Sequence, residues 1–132
     1  MYFVAGLKTK NDYAEFLQGN TTGKDIVIEG ISFDSRTVRK NELFVPLAGK
    51  NFSGFSFIDE AIKKGAVILS NKCHSNNCIQ VKDVYSSLIM LCQKHIEELG
   101  VKLILITGSY GKTTIKDMLR HSIGLVCHTN KL

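Results

Sequence analysis

The sequence predicts an α/β fold, with a small N-terminal α/β domain followed by the incomplete start of a doubly wound sheet. Three observations predict this fold. Short apolar strands alternate with amphipathic helices over residues 1–82. The stretch "VKLILIT", residues 101–107, is a continuous apolar run of the kind found in strands buried on both faces. A glycine turn, a helix and the start of another strand follow before the sequence stops at Leu132.

The first eighty residues contain regular helix and strand patterns separated by polar loops. The stretch "NDYAEFLQGN" predicts a short helix that Gly19 ends, and residues 34–41 predict a loop. The stretch "FSFIDEAIKKG" predicts an amphipathic helix that ends at Gly65. Its inward residues are expected to be Phe57, Ile58, Ala61 and Ile62. Strands are expected over residues 25–33, 42–47, 66–70 and 78–81.

Two helices are expected in the second part of the chain. Asp83 is predicted to cap a helix over residues 84–99, which Gly100 ends. Helical spacing predicts an inward face made of Val84, Leu88, Leu91, Cys92, His95, Ile96 and Leu99. The last helix, "KTTIKDMLRHSIG", is expected to bury Ile115, Met118, Leu119 and Ile123. The resulting division is a domain over residues 1–82, a connecting helix over 83–100 and the truncated start of a second domain over 101–132.

Composition and charge narrow the functional classes. Hydrophobic residues make up 44% of the chain and charged residues 22%, which is typical of a globular protein. The net charge of +5 is spread over both parts, with +3 in residues 1–82 (11 basic, 8 acidic) and +2 in residues 83–132 (6 basic, 4 acidic). Without a basic run, nucleic-acid binding is not predicted. The absence of a secretory signal and of any apolar run of about 18 residues predicts a cytoplasmic protein without membrane insertion.

The stretch "ITGSYGKTT", residues 106–114, predicts a phosphate-binding loop of a short form. It keeps the G-K-T ending of the common G-x-x-x-x-G-K-[ST] pattern but lacks the first glycine at the usual distance. Backbone amides at the start of the following helix can bind phosphate oxygens. Lys112 can reach the β and γ oxygens, and Thr113 is placed to bind Mg²⁺. The alternative interpretation is a structural turn that carries a chance G-K-T.

These residues resemble the Mur ligase family, the ATP-dependent amide-bond ligases of bacterial cell-wall precursor synthesis. The loop alone does not distinguish this family from folylpolyglutamate synthetases, but those enzymes lack the N-terminal domain. The family's N-terminal pattern is present in order as Asp34-Ser35-Arg36, Leu43-Phe44-Val45, Gly49, Gly54, Phe57-Ile58, Ala61-Ile62 and Gly65-Ala66. Within the family, Ser109 and Lys116 are more similar to ligases that add D-alanyl-D-alanine than to ligases that add the third peptide residue.

The resemblance implies where the substrates bind. The N-terminal domain, the family's substrate domain, would hold the UDP part of UDP-MurNAc-tripeptide through Asp34, Ser35 and Arg36 and through the loop residues Lys50, Asn51 and Phe52. The alternative is that Asp34 and Arg36 only hold a loop in place and that Phe52 is a core residue. The ATP-binding residues would be Gly108, Ser109, Gly111, Lys112, Thr113 and Thr114, with Lys112 as the catalytic residue and Thr113 as the Mg²⁺ ligand.

The implied reaction has two steps. ATP would phosphorylate the peptide carboxylate, and the amine of D-alanyl-D-alanine would then attack the acyl phosphate. The family's other catalytic parts would lie beyond residue 132, so we expect this chain alone to be inactive. We also expect that residues 101–132 either pack back on the first domain or self-associate with another copy.

Several alternatives remain open from the sequence. The chain could be a fragment of the ligase that adds the third residue, or a non-catalytic UDP-sugar-binding or interaction module derived from the family. An unrelated small phosphotransferase is a further alternative. Zinc is not predicted, because Cys73, His74 and Cys78 match no closed four-ligand pattern.

Overall fold

A computed structural model describes residues 6–49, 53–72, 75–100, 104 and 106–123. Contacts divide the chain into two units, Met1–Val101 and Lys102–Leu132. The described part of the first unit contains a five-stranded sheet, three α-helices and a 3-10 helix. The described part of the second unit contains one helix. These units reflect compactness, so the domain limits at residues 82 and 100 stay predictions.

The sheet is mostly parallel. Its strands are β1 (Asn20–Thr21), β2 (Gly30–Ser32), β3 (Glu42–Phe44), β4 (Val67–Ser70) and β5 (Cys78–Gln80), in the spatial order β1-β5-β4-β3-β2. The strands from β2 to β5 run parallel, and only β1 is antiparallel to its neighbour. Consecutive parallel strands place their carboxyl ends at one edge of the sheet, where ligands of open α/β folds usually bind.

Helices cover both faces of this sheet. The first face packs against α1 (Lys10–Phe16) and α3 (Val84–Leu99), and the second packs against α2 (Ile58–Lys63). Along β4, Val67 and Leu69 point to the first face whereas Ile68 points to the second, so the whole strand is buried. Because both faces of β4 are buried, its sequence is an almost continuous apolar run rather than an alternation of apolar and polar residues.

The helix ends follow local capping chemistry. Thr9 and Asp12 form a capping box at the start of α1, and Asp83 accepts a hydrogen bond from the Ser86 backbone N–H at 2.7 Å. Gly65 and Gly100 follow α2 and α3 with φ angles of +80° and +60°, the left-handed conformation that favours glycine. The predicted helix starts and ends in this unit are therefore confirmed to within one or two residues, with two exceptions. The α2 segment begins as a 3-10 helix, and Gln18, with a φ of +52°, takes the left-handed position after α1 that was expected of Gly19.

The predicted strand over residues 25–33 is shorter than expected. Only Gly30–Ser32 forms β2, while Val27 lies in an isolated bridge with Thr9 and is exposed. The Lys10 and Ile28 backbone N–H groups donate to Ile26 and Lys8, which diverts this segment from the sheet. Its alternating apolar pattern therefore reflects packing near α1 rather than membership of the sheet.

Two predicted inward faces are partly wrong. On α2 and the preceding 3-10 helix (Gly54–Phe57), Ile58 and Ala61 are buried as predicted, but Phe57 is 40% exposed. On α3, Val84 and Leu91 are buried, whereas Cys92 and Leu99 are exposed. The first unit covers only part of the apolar surface of α3, which sequence periodicity cannot reveal.

The second unit is described by itself. Helix α4 (Lys112–Ile123) forms where it was predicted, but Ile115 and Met118 are exposed rather than buried. Ile104 and Ile106 are not in strand conformation, and Ile104 is exposed. Thr107 is not in strand conformation either. Residues 101–103 and 105 of the predicted strand, and the predicted strand start after residue 124, lie outside the described residues. Among the described residues, no helix combines the length and apolar character needed to cross a bilayer.

Candidate substrate and phosphate sites

The loop Asp34-Ser35-Arg36 follows the carboxyl end of β2 and is fixed by its own side chains. The Asp34 carboxylate accepts from the Arg36 backbone N–H at 2.9 Å and pairs with its guanidinium at 2.6 Å. The Arg36 side chain is nevertheless 83% exposed, so its outer surface is accessible to a ligand. The Arg36 guanidinium is thus a cationic group that a short turn holds in position.

Ser35, the buried residue between Asp34 and Arg36, joins a part-buried polar network. Its hydroxyl donates to the Glu60 carboxylate at 2.9 Å, and Glu60 also pairs with Lys64 at 3.1 Å. The Lys64 ammonium donates to the carbonyl oxygens of Ser35 and Arg36 at 2.6 and 2.9 Å. Helix α2 therefore holds the loop in place. Glu60 and Lys64 were not predicted from the sequence as part of this site. Their spacing of four residues on a helix was the available signal.

These contacts shift the acidities of the two carboxyl groups. Hydrogen bonds from the Arg36 guanidinium and then from its backbone N–H lower the pKa of Asp34 to about 2. The Ser35 hydroxyl and the Lys64 ammonium lower the pKa of Glu60. Both carboxylates are therefore ionised at neutral pH, and neither is suited to act as a general acid there.

Arg36→Ala is expected to raise the pKa of Asp34 towards, but not up to, its ordinary value of 3.8, since the residue 36 backbone N–H still donates. In the unaltered protein, the stabilisation linked to Asp34 is present above the unfolded-state pKa and is lost as pH falls through about 2. An NMR titration of the Asp34 carboxyl carbon measures this shift. An unchanged midpoint in the variant would contradict the assigned cause.

A cavity of about 370 Å³ opens beside this loop. Its lining combines the loop with the end of β3 and the 3-10 helix, through Phe33, Asp34, Ser35, Arg36, Phe44, Gly54 and Phe57. Phe33 and Phe57 are both partly exposed, so aromatic surface and the Asp34–Arg36 pair face one space. Neither aromatic residue was predicted from the sequence as part of a site, and Phe57 was assigned to the core.

The second predicted substrate loop comes shortly before Gly54, a residue of this cavity, in the sequence. Lys50, Asn51 and Phe52 lie outside the described residues. The base of their loop is closed by a bridge between Ala48 and Ser53 and by a hydrogen bond of 2.8 Å from the Gly54 N–H to the Leu47 carbonyl. Gly54 itself lines the cavity beside Asp34 and Arg36, whereas Ala48 lines a different cavity with Pro46 and Phe55.

In the second unit, the predicted phosphate loop precedes α4 and is exposed. Gly108 and Gly111 have φ angles of +146° and +79°, which other residues rarely adopt. The Lys112 ammonium donates to the Gly108 carbonyl oxygen, which closes the loop on itself. The Ile115 N–H donates to the Gly111 carbonyl at 2.9 Å, an i to i−4 hydrogen bond at the start of α4. The backbone amides before Ile115 lie in the first turn, where amides can bind an anion.

The residues present fit a magnesium nucleotide. Thr113 and Thr114 are exposed at the helix start, and Lys112 lies within the same turn. Within the described ranges, no three His, Cys, Asp or Glu side chains form a metal-binding group. A Mg²⁺ ion at this loop would therefore be held by Thr113 together with oxygens of the nucleotide, as is usual for such loops.

The described part of the chain combines a mostly parallel α/β unit with an exposed glycine loop that precedes a helix, which is the class of fold the sequence predicts. Residues 27–109 match the family model "Mur ligase family, catalytic domain". The chain belongs to the Mur ligase family.

Similar proteins include two kinds of ligase. The chain is 34% identical over 133 residues to the UDP-N-acetylmuramoyl-tripeptide–D-alanyl-D-alanine ligase of Bacillus subtilis, covering 94% of this chain and 29% of that protein. It is 38% identical over 107 residues to UDP-N-acetylmuramoyl-L-alanyl-D-glutamate–2,6-diaminopimelate ligase 2 of Clostridium acetobutylicum, covering 72% of this chain and 22% of that protein. The chain thus spans less than a third of the length of these relatives.

Solved structures of MurF proteins share the fold of this chain. MurF from Acinetobacter baumannii superimposes with a TM-score of 0.68 at 26% identity, over 82% of this chain and 25% of that one. MurF ligase from Thermotoga maritima, solved in complex with ADP, gives a TM-score of 0.64 at 30% identity over 74% of this chain and 23% of that one. The predicted family and the α/β fold class are therefore confirmed.

Proposed function

We propose that this chain is a fragment of an ATP-dependent ligase that adds D-alanyl-D-alanine to UDP-MurNAc-tripeptide. The observation that carries this proposal is the similarity to the B. subtilis ligase, which spans 94% of the chain and so includes both candidate sites. The alternative of an unrelated phosphotransferase is excluded by the family membership. A cytoplasmic location is inferred from the family as well.

The cavity at Asp34–Arg36 is proposed to hold the UDP part of the substrate. Its volume of about 370 Å³ lies in the range of small-molecule sites. The exposed Arg36 guanidinium can pair with a diphosphate oxygen, and Phe33 or Phe57 can cover a face of uracil. Ser35 donates its hydroxyl to Glu60, so its oxygen lone pairs remain to accept from the ligand. Lys50, Asn51 and Phe52 are proposed to close the cavity from the adjacent loop.

The loop before α4 is proposed to bind the ATP phosphates. Backbone amides after Gly108 and Gly111 would bind the phosphate oxygens, assisted by the Ser109, Thr113 and Thr114 hydroxyls. The Lys112 ammonium would leave the Gly108 carbonyl oxygen and bind the phosphoryl group that is being transferred. Its positive charge would offset the negative charge of this group while the peptide carboxylate is phosphorylated. The amine of D-alanyl-D-alanine would attack the acyl phosphate and release phosphate. Mg²⁺, held by Thr113, would supply further charge neutralisation.

The alternative function is addition of the third residue rather than the dipeptide. The similarity to the C. acetobutylicum ligase favours this alternative, since its 38% identity is slightly higher over a shorter segment. A preference for UDP-MurNAc-tripeptide over UDP-MurNAc-dipeptide in the full-length ligase would support dipeptide addition. The reverse preference would establish the alternative.

This chain is proposed to bind UDP-MurNAc-tripeptide but neither to catalyse ligation nor to bind Mg·ATP appreciably. The first unit contains the whole described cavity, whereas the phosphate loop belongs to a unit whose apolar residues Ile115 and Met118 are exposed. The same exposure supports the prediction that residues 101–132 self-associate. A non-catalytic module derived from the family would bind UDP-MurNAc-tripeptide equally, so only ligation by the full-length protein distinguishes the two.

Arg36→Ala is expected to weaken binding of UDP-MurNAc-tripeptide to this chain by about 10- to 100-fold, because a charge-assisted hydrogen bond contributes about 1.5–3 kcal/mol. Isothermal titration calorimetry measures the affinity. Lys24→Ala is the matched control, since Lys24 is also an exposed cation of the first unit but follows β1, at the opposite edge of the sheet from β2. Equal affinities of the two variants would contradict the placement of the diphosphate at Arg36.

A further inference from the structure

The Ser35 hydroxyl is held in one orientation by helix α2. Its oxygen lies 2.9 Å from the Oε2 atom of Glu60. The Glu60 carboxylate is ionised at neutral pH, so it can accept a hydrogen bond but has no proton to donate. Ser35 must therefore supply the proton of this contact. A hydroxyl has a single proton, so the Ser35 oxygen can only accept a hydrogen bond from any further group.

Lys64 in turn fixes the Glu60 carboxylate. The Lys64 ammonium lies 3.1 Å from Glu60 Oε1 and donates to the carbonyl oxygens of Ser35 and Arg36 at 2.6 and 2.9 Å. These three acceptors match the three protons of an ammonium group. The atom of residue 60 that faces Lys64 must therefore be an acceptor, and the other terminal atom of that side chain faces Ser35.

Ser35 also belongs to the wall of the cavity beside Arg36, together with Phe33 and Phe57. It is only 5% exposed, so little water reaches its oxygen. A ligand group that meets this oxygen has to donate, because an acceptor there would be buried without a hydrogen bond. Ionised diphosphate oxygens have no proton to donate. A base N–H does, and the aromatic surface of Phe33 and Phe57 in the same cavity suits the face of a base.

We propose that Glu60, held by Lys64, makes the Ser35 oxygen an acceptor that selects uracil over cytosine. This inference rests on the proposed function, in which the cavity holds the UDP part of the substrate. Uracil has a proton on the ring nitrogen between its two carbonyl groups, and this N–H can donate to Ser35. Cytosine has a lone pair on the same nitrogen, which would face the lone pairs of Ser35. Glu60 and Lys64 are positioning residues, because they act on the base through Ser35.

Calorimetry with UDP and CDP tests this selectivity, because the two nucleotides share the ribose and the diphosphate. The wild-type chain is expected to bind UDP at least about tenfold more tightly than CDP. Glu60→Gln should reduce this ratio at least about tenfold. The glutamine carbonyl oxygen would face the Lys64 ammonium, and its amide N–H would donate to Ser35, which turns the hydroxyl proton towards the cavity. If Glu60 only supported folding, the variant would weaken binding of both nucleotides equally and leave the ratio unchanged.

Asp59→Asn is the matched control, since Asp59 is the neighbouring carboxylate in the first turn of α2 and is exposed. Its affinity ratio should stay within about twofold of the wild-type ratio. Ser35→Ala is a second test, because it removes the acceptor and should bring the two affinities within about threefold of each other.

Two results would overturn the inference and leave the UDP cavity in place. One is a wild-type chain that binds UDP and CDP equally well, and the other is a folded Glu60→Gln variant with an unchanged ratio. A wild-type chain that binds neither nucleotide would overturn the proposed function of the cavity, and the inference with it.

Discussion

Replacing Lys112 by alanine in the full-length ligase is expected to reduce kcat for amide-bond formation by about 10³-fold. Lys112 is the only cation within the described phosphate loop, residues 106–114, and its ammonium already lies over the loop at the Gly108 carbonyl. Its charge is needed most when the phosphoryl group moves to the peptide carboxylate. The KM for UDP-MurNAc-tripeptide should change little, because the proposed UDP cavity uses other residues. Phosphate release in the presence of D-alanyl-D-alanine measures the rate.

Lys116→Ala is the matched control for Lys112→Ala. Lys116 lies one turn further along α4 and pairs weakly with Asp117 at 3.7 Å, so its replacement removes the same charge without removing a group from the loop. The control should retain activity within about threefold. Full activity of Lys112→Ala would show that the loop does not act on the transferring phosphoryl group, and the proposed reaction would have to be abandoned.

The helices and their ends could be predicted because their signals are local. Asp83 caps α3 through a hydrogen bond to a backbone N–H three residues away, and Gly100 ends it in a left-handed conformation. The Gly111–Lys112 junction likewise opens α4 where the loop pattern placed it. In each case the deciding interaction lies within one turn of the residue that was recognised, so no knowledge of the tertiary structure was needed.

The part of the site that depends on distant residues could not be predicted. Ser35 was identified from its motif, but its partner Glu60 lies 25 residues later on helix α2. Phe57 has the spacing of a core residue, yet the 3-10 turn at Gly54–Phe57 rotates it towards the cavity beside Arg36. The exposed apolar residues of α3 show the same limit, because periodicity finds an apolar surface but does not tell which neighbour covers it.

Gly54→Ala is expected to reduce the affinity for UDP-MurNAc-tripeptide at least tenfold and to lower the free energy of unfolding by about 1–3 kcal/mol. A Cβ atom on Gly54 would lie 2.7 Å from both the N and the O of Leu47, which are backbone atoms that cannot rotate away. The chain would have to separate at the hydrogen bond between Gly54 and Leu47, where the loop that carries Lys50, Asn51 and Phe52 begins and ends. Calorimetry and urea unfolding measure the two effects.

Gly100→Ala is the control that distinguishes a loss of substrate affinity from a loss of folding stability. Gly100 also has to adopt a conformation that alanine disfavours, at φ +60°, but a Cβ atom there would meet nothing within 4 Å, and the residue lies at the end of α3. This control should lose about 1–2 kcal/mol of stability and retain its affinity for the substrate. If both variants bind equally well, the close approach of Gly54 to Leu47 does not position the substrate loop. A selective loss of affinity in Gly54→Ala would show that substrate binding depends on this close approach, through Gly54 in the cavity lining or through the loop that precedes it.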